Sequence, residues 1–365
     1  MVAFLLRRNP ALPPGSLVLV TDVDGFIASH TANQLLLAGY RVRGTTRDLA
    51  KTRWLSDLFD SKYATGKFEM VHVADIGREG AFMSVLNGVD GIIHTAVNDS
   101  ISTDAAMIIR SVIKGATNIL IAASTTPSIK RFIYTSSSTA LYMPGLHGTG
   151  KQNVSQWTWN DRTVAYVESQ INGTQNATAP TPGIHDGYVV YAASKTLAEK
   201  AVWTWVDKHS PSFAVNVVIP GMTFGGSLKA DGRCAETCAL STFFKSVSRE
   251  DKGYRIVRNI QPQYFVDVQD AARLHVAALM AGDVQNERLL GFAEPFNWNV
   301  VLNIWRQGFP GRTFPGNVKY EGSGWDDSDA TTARQRAESV MRRVGYFGFE
   351  VSLERSLLKA VEGLS

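Results

Sequence analysis

Strand-like and helix-like segments alternate over the first 220 residues of this chain, and that alternation limits the folds open to it. Residues 16–21 form a short apolar run of the kind found in buried parallel strands, and Gly39 ends the helical periodicity that follows over 26–38. Further strand signals occur at 40–46, 68–73, 91–95, 131–136 and 213–219, with the longest helical stretches at 103–123 and 191–208. This order predicts an α/β fold, a doubly wound parallel sheet with helices on both faces.

The 365 residues exceed the size at which a single hydrophobic core usually stops growing, about 250–300 residues, so we expect more than one region. Residues 1–14 are a Pro-containing N-terminal tail, 15–220 form the main α/β domain, and 221–365 form a smaller α+β region. The sequence predicts a long insertion loop over 143–187, because this stretch is rich in Gly, Pro, Asn and Thr. The loop carries Trp157 and Trp159, and we expect it to cover the mouth of an active site.

Composition excludes several classes of function. The net charge of +4 comes from 37 basic and 33 acidic residues scattered along the chain, so no basic stripe predicts nucleic-acid binding. No unbroken apolar run approaches the roughly 18 residues that span a bilayer, and the short N-terminal apolar patch precedes its charges, unlike a secretory signal. The two cysteines, Cys234 and Cys238, are too few for a disulfide scaffold or a metal site, which favours a reducing, cytoplasmic setting.

Tyr191 and Lys195 lie four positions apart in a segment of helical periodicity. Side chains with this spacing share one face of a helix. A neighbouring ammonium can lower the pKa of a phenol from its ordinary value of about 10 towards a value useful for proton transfer. The pair is therefore a candidate acid/base site, whereas Tyr188 is not, because Ala192 occupies the position four residues on.

A second candidate site lies between the first predicted strand and its helix, in the segment Thr21-Asp22-Val23-Asp24-Gly25-Phe26-Ile27. A turn at this place presents backbone N–H groups and a helix N-terminus to a pyrophosphate. Arg47 ends the second predicted strand, where an acidic residue binds the ribose of NAD and an arginine accommodates the 2′-phosphate of NADP. Arg43 is a possible second cation for that phosphate.

Together these motifs resemble the extended short-chain dehydrogenases/reductases, and most of all the fungal and yeast NADPH-dependent aldehyde and ketone reductases akin to plant dihydroflavonol reductase. The resemblance spans nearly the whole chain and implies a Rossmann dinucleotide-binding domain over 15–220, a substrate-binding region over 221–365 and NADP(H) as cofactor. The cofactor-binding positions that it implies are Thr21, Asp22, Gly25, Phe26, Ile27, Arg47, Asp75, Ile76, Thr95, Ala96 and Pro220.

The same resemblance implies a catalytic set of Ser137, Tyr191 and Lys195. Tyr191 would give its proton to the developing alkoxide, Ser137 would hydrogen-bond that oxygen, and Lys195 would hold the ribose while lowering the pKa of the tyrosine. Ser136 remains an alternative to Ser137 because three serines are adjacent. Asp75 has an alternative structural role as a helix N-cap.

Asp22 departs from the family pattern, which has glycine at this first position of the phosphate-binding turn. At 4 Å and an effective dielectric constant of 20, a carboxylate beside a phosphate costs about 4 kcal/mol per charge pair, before screening or rotation into solvent reduces it. Alternatively, the carboxylate caps the helix N-terminus and occupies the anion site itself.

The sequence therefore predicts an NADPH-dependent reductase of an aldehyde or ketone, a hydrophobic or polyketide-like small molecule, acting as a monomer or homodimer. The competing hypothesis is a redox-silent protein on the same scaffold, namely a cofactor-independent isomerase or cyclase or a ligand-binding relative, because of Asp22. An epimerase or dehydratase of nucleotide sugars is a third possibility, which Arg47 disfavours because NAD enzymes usually carry an acidic residue there.

Overall fold

The computed structural model describes residues 10–97, 104–144, 153–174, 186–229, 244, 260–320, 324–326 and 328–362. The chain follows a strand–helix order whose strands, within these residues, are β1 (Leu17–Val20), β2 (Arg41–Thr46), β3 (Phe68–His72), β4 (Gly91–His94), β5 (Arg131–Thr135), β6 (Ala214–Pro220), β7 (Met222–Phe224), β8 (Gln263–Asp267), β9 (Arg288–Gly291) and β10 (Glu294–Phe296). The helices are α1 (Phe26–Leu37), α2 (Leu49–Tyr63), α3 (Ala105–Ser124), α4 (Asp161–Ile171), α5 (Asp186–His209), α6 (Val268–Met280), α7 (Trp298–Gly308), α8 (Thr331–Arg343) and α9 (Leu353–Ala360).

Seven strands form one parallel sheet in the order β3-β2-β1-β4-β5-β6-β9. The order runs outwards from β1 in both directions, as in a Rossmann fold, and confirms the predicted doubly wound arrangement. All four residues of β1 are buried, because helices cover both faces of the sheet. The last strand, β9, comes from beyond residue 220, so the chain returns to the large sheet after the boundary expected from the sequence.

Two layers of apolar side chains cover the sheet. On one face, Ile119 and Leu120 of α3 and Val202 of α5 pack against Phe132 of β5. On the other face, residues of α1, α2, α6 and α8 pack against the sheet, including Leu35, Leu55, Phe59, Leu279 and Val340. Because the strands are parallel, their carboxyl ends lie along one edge of the sheet, and the loops that follow them are where ligands bind in folds of this kind.

A smaller unit follows β6. Strands β10, β8 and β7 form a three-stranded sheet, and its core is aromatic, with Phe265, Phe296, Trp298 and Trp305 buried together. β8 leads directly into α6, whose N-cap Asp267 accepts the N–H of Gln269 at 2.8 Å. Since α6 is followed by β9, the chain returns through this helix from the small sheet to the large one.

Part of the stretch predicted as a loop over 143–187 is helical. α4 begins after Asn160, whose side chain accepts the N–H of Thr163, and its Val164 and Val167 pack on α5. The segment 153–160 pairs with the C-terminal region through Val154, whose N–H donates to Asp329 O at 2.9 Å. Residues 145–152 and 175–185 of that stretch lie outside the described residues.

α3 is the one helix among the described residues that is long and apolar enough to cross a membrane by length and composition. Its sequence carries Arg110 and Lys114, and its buried side chains pack on the sheet and on α5. The core helix of a globular domain meets the same criterion, so α3 by itself is weak evidence for a membrane span.

Arg131 joins the sheet to α6. Its buried guanidinium donates to the carbonyl groups at the C-terminal end of that helix, those of Ala278, Leu279, Ala281 and Val284, at 2.7–3.1 Å. A cation suits this end of a helix because the last carbonyls have no intrahelical partner. Burial lowers the pKa of the guanidinium, and the hydrogen bonds satisfy it.

Gly221 lies where the chain passes from the large sheet to the small one. A Cβ atom at this position would lie 2.6 Å from the carbonyl oxygen of Tyr264, a backbone atom that cannot move aside without disturbing β8. We expect Gly221→Ala to lower the free energy of unfolding by about 1–3 kcal/mol, measured by urea unfolding. Gly311→Ala is the control, because its Cβ meets nothing within 4 Å, and an equal loss in both variants would contradict the packing explanation.

Candidate active site

The predicted site residues follow the strands whose carboxyl ends meet at one edge of the large sheet. Thr21 comes after β1, Thr95 after β4 and Ser136 after β5, and Pro220 ends β6. These four strands are neighbours in the sheet, so residues up to 199 positions apart in the chain come together here. The parallel sheet therefore assembles a single candidate site from separate motifs.

Thr21 connects β1 to β4 through its hydroxyl group. The oxygen accepts the N–H groups of Thr95 and Ala96, both at 3.0 Å, and lies 2.9 Å from Nδ1 of His94. Burial, with the positive charge of Lys195 as a smaller cause, lowers the pKa of His94 to about 3. The histidine is thus neutral, and the threonine can donate its proton to Nδ1.

Asp22 adopts a left-handed backbone conformation with φ of 53°. Its carbonyl oxygen accepts the N–H of Gly25 at 2.8 Å, and its own N–H donates to Oγ1 of Thr45 at 3.1 Å. Its Oδ2 atom lies only 3.2 Å from the place that a Cβ of Gly25 would occupy, so the carboxylate is folded over the turn. Aspartate tolerates this conformation better than most residues, which explains why the turn forms without a first glycine.

A cavity of about 290 Å³ opens beside this turn. It is lined by Asp22, Thr45, Thr46, Arg47, Val73, Ala74, Asp75, Ile76, Ala96 and Val97. Five of the predicted cofactor-binding residues thus share one cavity, which combines a guanidinium, two carboxylates, an apolar wall and hydroxyl groups. The apolar wall and the hydroxyl groups fit the adenosine end of a nicotinamide dinucleotide, and Arg47 is the cation of this lining.

Arg43, considered as a second cation for that phosphate, points elsewhere. Its guanidinium pairs with Glu69 at 2.7 Å and donates to the carbonyl oxygens of Val85 and Asn87, each at 2.8 Å. These contacts join β2 to the loop before β4. Arg43 therefore has a structural role and does not line the cavity, which corrects its expected role as a second cation for the phosphate.

Asp75 and Ile76 form a turn after β3. Oδ1 of Asp75 accepts the N–H of Gly77 at 2.8 Å, so the carboxylate closes its own turn while lining the cavity. The side chain of Ile76 is buried against Gly115 of α3, and its carbonyl accepts from Asn118 at 3.0 Å. The alternative role expected for Asp75, a helix N-cap, is wrong, because the segment after it is a turn and not a helix.

The three other predicted cofactor residues lie around the ends of α1 and β6. Phe26 begins α1 and meets His30 edge-on, with ring centroids 5.8 Å apart, and it packs against the aromatic core of the small unit. Ile27 is partly buried, and its carbonyl accepts from Thr31 at 2.8 Å. Pro220 is buried at the end of β6.

Ser136 and Ser137 have different environments. The hydroxyl of Ser136 donates to Oε2 of the buried Glu199 at 2.5 Å. The hydroxyl oxygen of Ser137 accepts the N–H and the hydroxyl of Thr139 at 3.3 and 3.0 Å, which leaves its own proton available as a donor. Of the two, only Ser137 is partly exposed, so its geometry suits contact with a substrate better.

Tyr191 and Lys195 lie on α5, one turn apart. Lys195 is buried, and its ammonium donates to the carbonyl oxygen of Thr135 at 3.0 Å. Tyr191 is 40% exposed, and its ring stacks on that of Tyr188 with centroids 6.3 Å apart. The lysine is thus held at the end of β5, two residues before Ser137 in the chain, while part of the tyrosine ring remains accessible to solvent.

Sequence reasoning missed the ion pair of Glu199 with Arg288 near this edge of the sheet. Glu199 lies four positions after Lys195, so the helical spacing that identified Tyr191 and Lys195 also places it on their face. Within the described residues, no three His, Cys, Asp or Glu side chains form a group that could hold a metal ion.

Below the site, His275 of α6 supports the end of β5. Its Nδ1–H donates to Ala271 O at 2.7 Å, so Nε2 accepts from the hydroxyl of Thr135 at 2.8 Å. Burial lowers the pKa of His275 to about 4, and it lowers the pKa of His30 to about 4 as well. Together with His94, these are three buried imidazoles, among the described residues, whose lowered pKa keeps them neutral.

These histidines make folding stability depend on pH. A group whose pKa is lower when folded binds more protons when unfolded, so stability is complete above about pH 6.5 and falls as the pH drops towards 4. We expect His275→Asn to reduce the slope of unfolding free energy against pH in this range by up to about 1.4 kcal/mol per pH unit. Urea unfolding at a series of pH values measures it, and an unchanged slope would contradict the assignment.

The sequence of this chain matches one protein family and several individual proteins of known name. The NAD dependent epimerase/dehydratase family matches residues 18–290. Aldehyde reductase 2 of Sporidiobolus salmonicolor is 34% identical over 348 residues, which are 95% of this chain and 96% of that protein. Ketoreductase adrE of Penicillium rubens is 34% identical over 357 residues, 96% of this chain and 98% of that protein.

Among solved structures, Gre2 of Candida albicans in complex with NADPH superposes with a TM-score of 0.76 at 23% identity, over 96% of this chain and 98% of that one. At this identity the likeness concerns the fold, and the sequence matches establish the relationship. The chain belongs to the NAD dependent epimerase/dehydratase family of extended short-chain dehydrogenases/reductases, and its relatives include fungal aldehyde reductases and ketoreductases.

Proposed function

We propose that this protein reduces an aldehyde or ketone to an alcohol with NADPH, and that Tyr191 is the proton donor. The observation that carries the proposal is that the two groups of predicted residues lie along one edge of the sheet. Arg47 lines the cavity beside Asp22, Ser137 follows β5, and Tyr191 and Lys195 lie on α5, which is joined to the end of β5 by the contact of Lys195 with Thr135 O. The names of the relatives, aldehyde reductase and ketoreductase, support the same reaction class.

NADPH, when bound, supplies the hydride that adds to the carbonyl carbon. The residues of this chain have the task of handling the carbonyl oxygen, on which negative charge develops. The hydroxyl of Ser137 would donate a hydrogen bond to that oxygen, and Tyr191 would transfer its proton to it. Lys195, held by Thr135 O, would provide a fixed positive charge near both groups.

The proposed cofactor preference rests on Arg47, which shares the cavity with the carboxylates of Asp22 and Asp75. Arg47 lines it at the end of β2, where a 2′-phosphate of NADP(H) would be neutralised. An enzyme for NAD usually carries a carboxylate at that place, which is why we propose NADPH and disfavour a nucleotide-sugar epimerase. The substrate is proposed to be a hydrophobic aldehyde or ketone, and the names of the relatives support the carbonyl class.

A second candidate function is redox-silent chemistry or ligand binding on the same scaffold. The carboxylate of Asp22 favours it, because it is folded over the turn at which the pyrophosphate of a dinucleotide would bind. In that case Tyr191 would act as an acid or base without any hydride donor, as in an isomerase or cyclase. We rank it below the reductase because the cavity contains the arginine that suits NADPH.

Tyr191→Phe tests the proposed reaction. The variant keeps the ring and its stacking on Tyr188 but loses the proton donor, so we expect kcat for carbonyl reduction to fall by about 10²-fold or more, with NADPH binding retained. Tyr188→Phe is the matched control, because it removes a hydroxyl from the neighbouring ring and should keep most of the activity. Equal activity of Tyr191→Phe and the wild type would contradict the proposal.

Substitution of Asp22 separates the two candidate functions. We expect Asp22→Gly to bind NADPH at least about tenfold more tightly than the wild type, because a charge beside the pyrophosphate is removed. Asp22→Asn keeps the shape and tolerates the left-handed backbone, so it isolates the effect of charge. Calorimetric titration with NADPH and NADH gives the dissociation constants.

The outcomes of these titrations differ for the two functions. A wild type that binds NADPH more tightly than NADH, and an Asp22→Gly variant that reduces the same carbonyls, support the reductase. A wild type that binds neither cofactor at millimolar concentration, while Asp22→Gly does bind, would favour the redox-silent protein. No gain in either variant would show that the carboxylate does not face the cofactor.

A further inference from the structure

A buried ion pair lies directly behind the predicted catalytic residues. Glu199 of α5 and Arg288 of β9 are joined by contacts of 2.6 and 3.3 Å, and both side chains are almost completely removed from solvent. Neither residue lines the cavity beside Asp22. A charge pair in such a place is weak evidence for stability by itself, because desolvation offsets much of the attraction.

On the side of Glu199, the pair holds the strand that carries the predicted catalytic serine. The carboxylate accepts the hydroxyl of Ser136 at 2.5 Å and the indole N–H of Trp203 at 3.3 Å. The N–H of Ser136 donates to Val218 O at 2.9 Å, so both its backbone and its side chain are anchored. Ser137 follows immediately, and its position depends on that anchor.

On the side of Arg288, the pair holds the segment 153–160. The guanidinium donates to the carbonyl oxygens of Gln156 and Thr158 at 2.8 and 2.7 Å. Its Cζ atom lies 3.8 Å from the centroid of the Trp159 ring, a cation–π contact. Trp159 is therefore packed on the ion pair and not turned into an open pocket, in contrast to the exposed Trp157.

The third link runs along α5. Tyr191, Lys195 and Glu199 follow one another at intervals of four residues, so they lie on one face of the helix. Lys195 contacts Thr135 O, and Glu199 contacts the hydroxyl of the next residue, Ser136. Two successive residues at and just after the end of β5, Thr135 and Ser136, thus bind two residues of α5 that are one helical turn apart.

We infer that Glu199 and Arg288 are positioning residues that hold Ser137 and the segment 153–160 in a fixed relation to the Tyr191–Lys195 face of α5. Neither touches the predicted reacting atoms, so their effect on the reaction would pass through Ser137. The kinetic consequence rests on the proposed reductase function, whereas the holding of the backbone does not. Catalysis by placement is sensitive, since a shift of 1 Å in a reacting group can change a rate by about 10²-fold.

Two substitutions disturb the network of Glu199, Arg288 and Ser136, one mildly and one strongly. Ser136→Ala removes one hydroxyl and leaves the ion pair, whereas Glu199→Gln keeps the shape and removes the charge. Asp270→Asn is the matched control, because Asp270 is equally buried and pairs with Arg273 at 2.7 Å on α6, outside the proposed network. If Glu199→Gln does not fold, Ser136→Ala still carries the test.

The first measurement is hydrogen–deuterium exchange of the purified full-length protein. The informative amides are those of Ser136, Ala140 and Leu141, which donate to backbone oxygens at 2.9 Å. We expect them to exchange about tenfold faster in Ser136→Ala and Glu199→Gln, and unchanged in Asp270→Asn, with all variants compared at the same interval below their melting temperatures. Unchanged exchange in both test variants would overturn the inference, whatever their activity.

The second measurement is steady-state carbonyl reduction with NADPH. We expect kcat to fall by about tenfold in Ser136→Ala, with the dissociation constant for NADPH changed less than about twofold, because only placement of Ser137 is disturbed. Faster exchange without a change in kcat would overturn the positioning role. Faster exchange in a protein whose wild type reduces no carbonyl would support the holding role and count against the proposed function.

Discussion

The parallel register of β1 with β2 and β4 is the constraint on which the rest of the site depends. In that register, Val20 at the end of β1 pairs with Gly44 and with Ile93, so β4 ends one residue and β2 two residues beyond the level at which β1 ends. The residues that follow are then forced into contact, and Thr21 can reach the N–H groups of Thr95 and Ala96. A slip of one residue would turn these side chains to the opposite face of the sheet and separate them.

Backbone carbonyl groups hold buried cations at both ends of β5. Lys195 is held by Thr135 O at the carboxyl end, and Arg131, the first residue of the strand, is held by the carbonyls at the end of α6. A carbonyl satisfies a buried cation without adding a second charge to be desolvated. Arg288 differs from these two cations, because it pairs directly with the carboxylate of Glu199 in addition to the carbonyls of Gln156 and Thr158.

Much of the fold could be predicted from the sequence, because apolar runs and helical periodicity are local signals. The six strands predicted before residue 220 end within about one residue of their observed bounds, and Gly39 ends α1 with a positive φ of 87°. The helix α4 was not predicted, because polar residues surround its few apolar positions and its stability comes from packing on α5. The strand β9 was also missed, since its four residues give too short a pattern and its place depends on pairing with β6.

The sequence by itself determined the fold class, the family and the identity of the candidate acid/base pair, because each depends on residue types at short, fixed spacings. It also identified Asp22 as a departure from the family pattern. Only the tertiary structure decided that Ser136 binds Glu199 while Ser137 stays available, that Arg43 is used within β2 and β3, and that Trp159 rests on Arg288. These outcomes depend on contacts between residues that are distant in the chain, and such residues come into contact only once the sheet has formed.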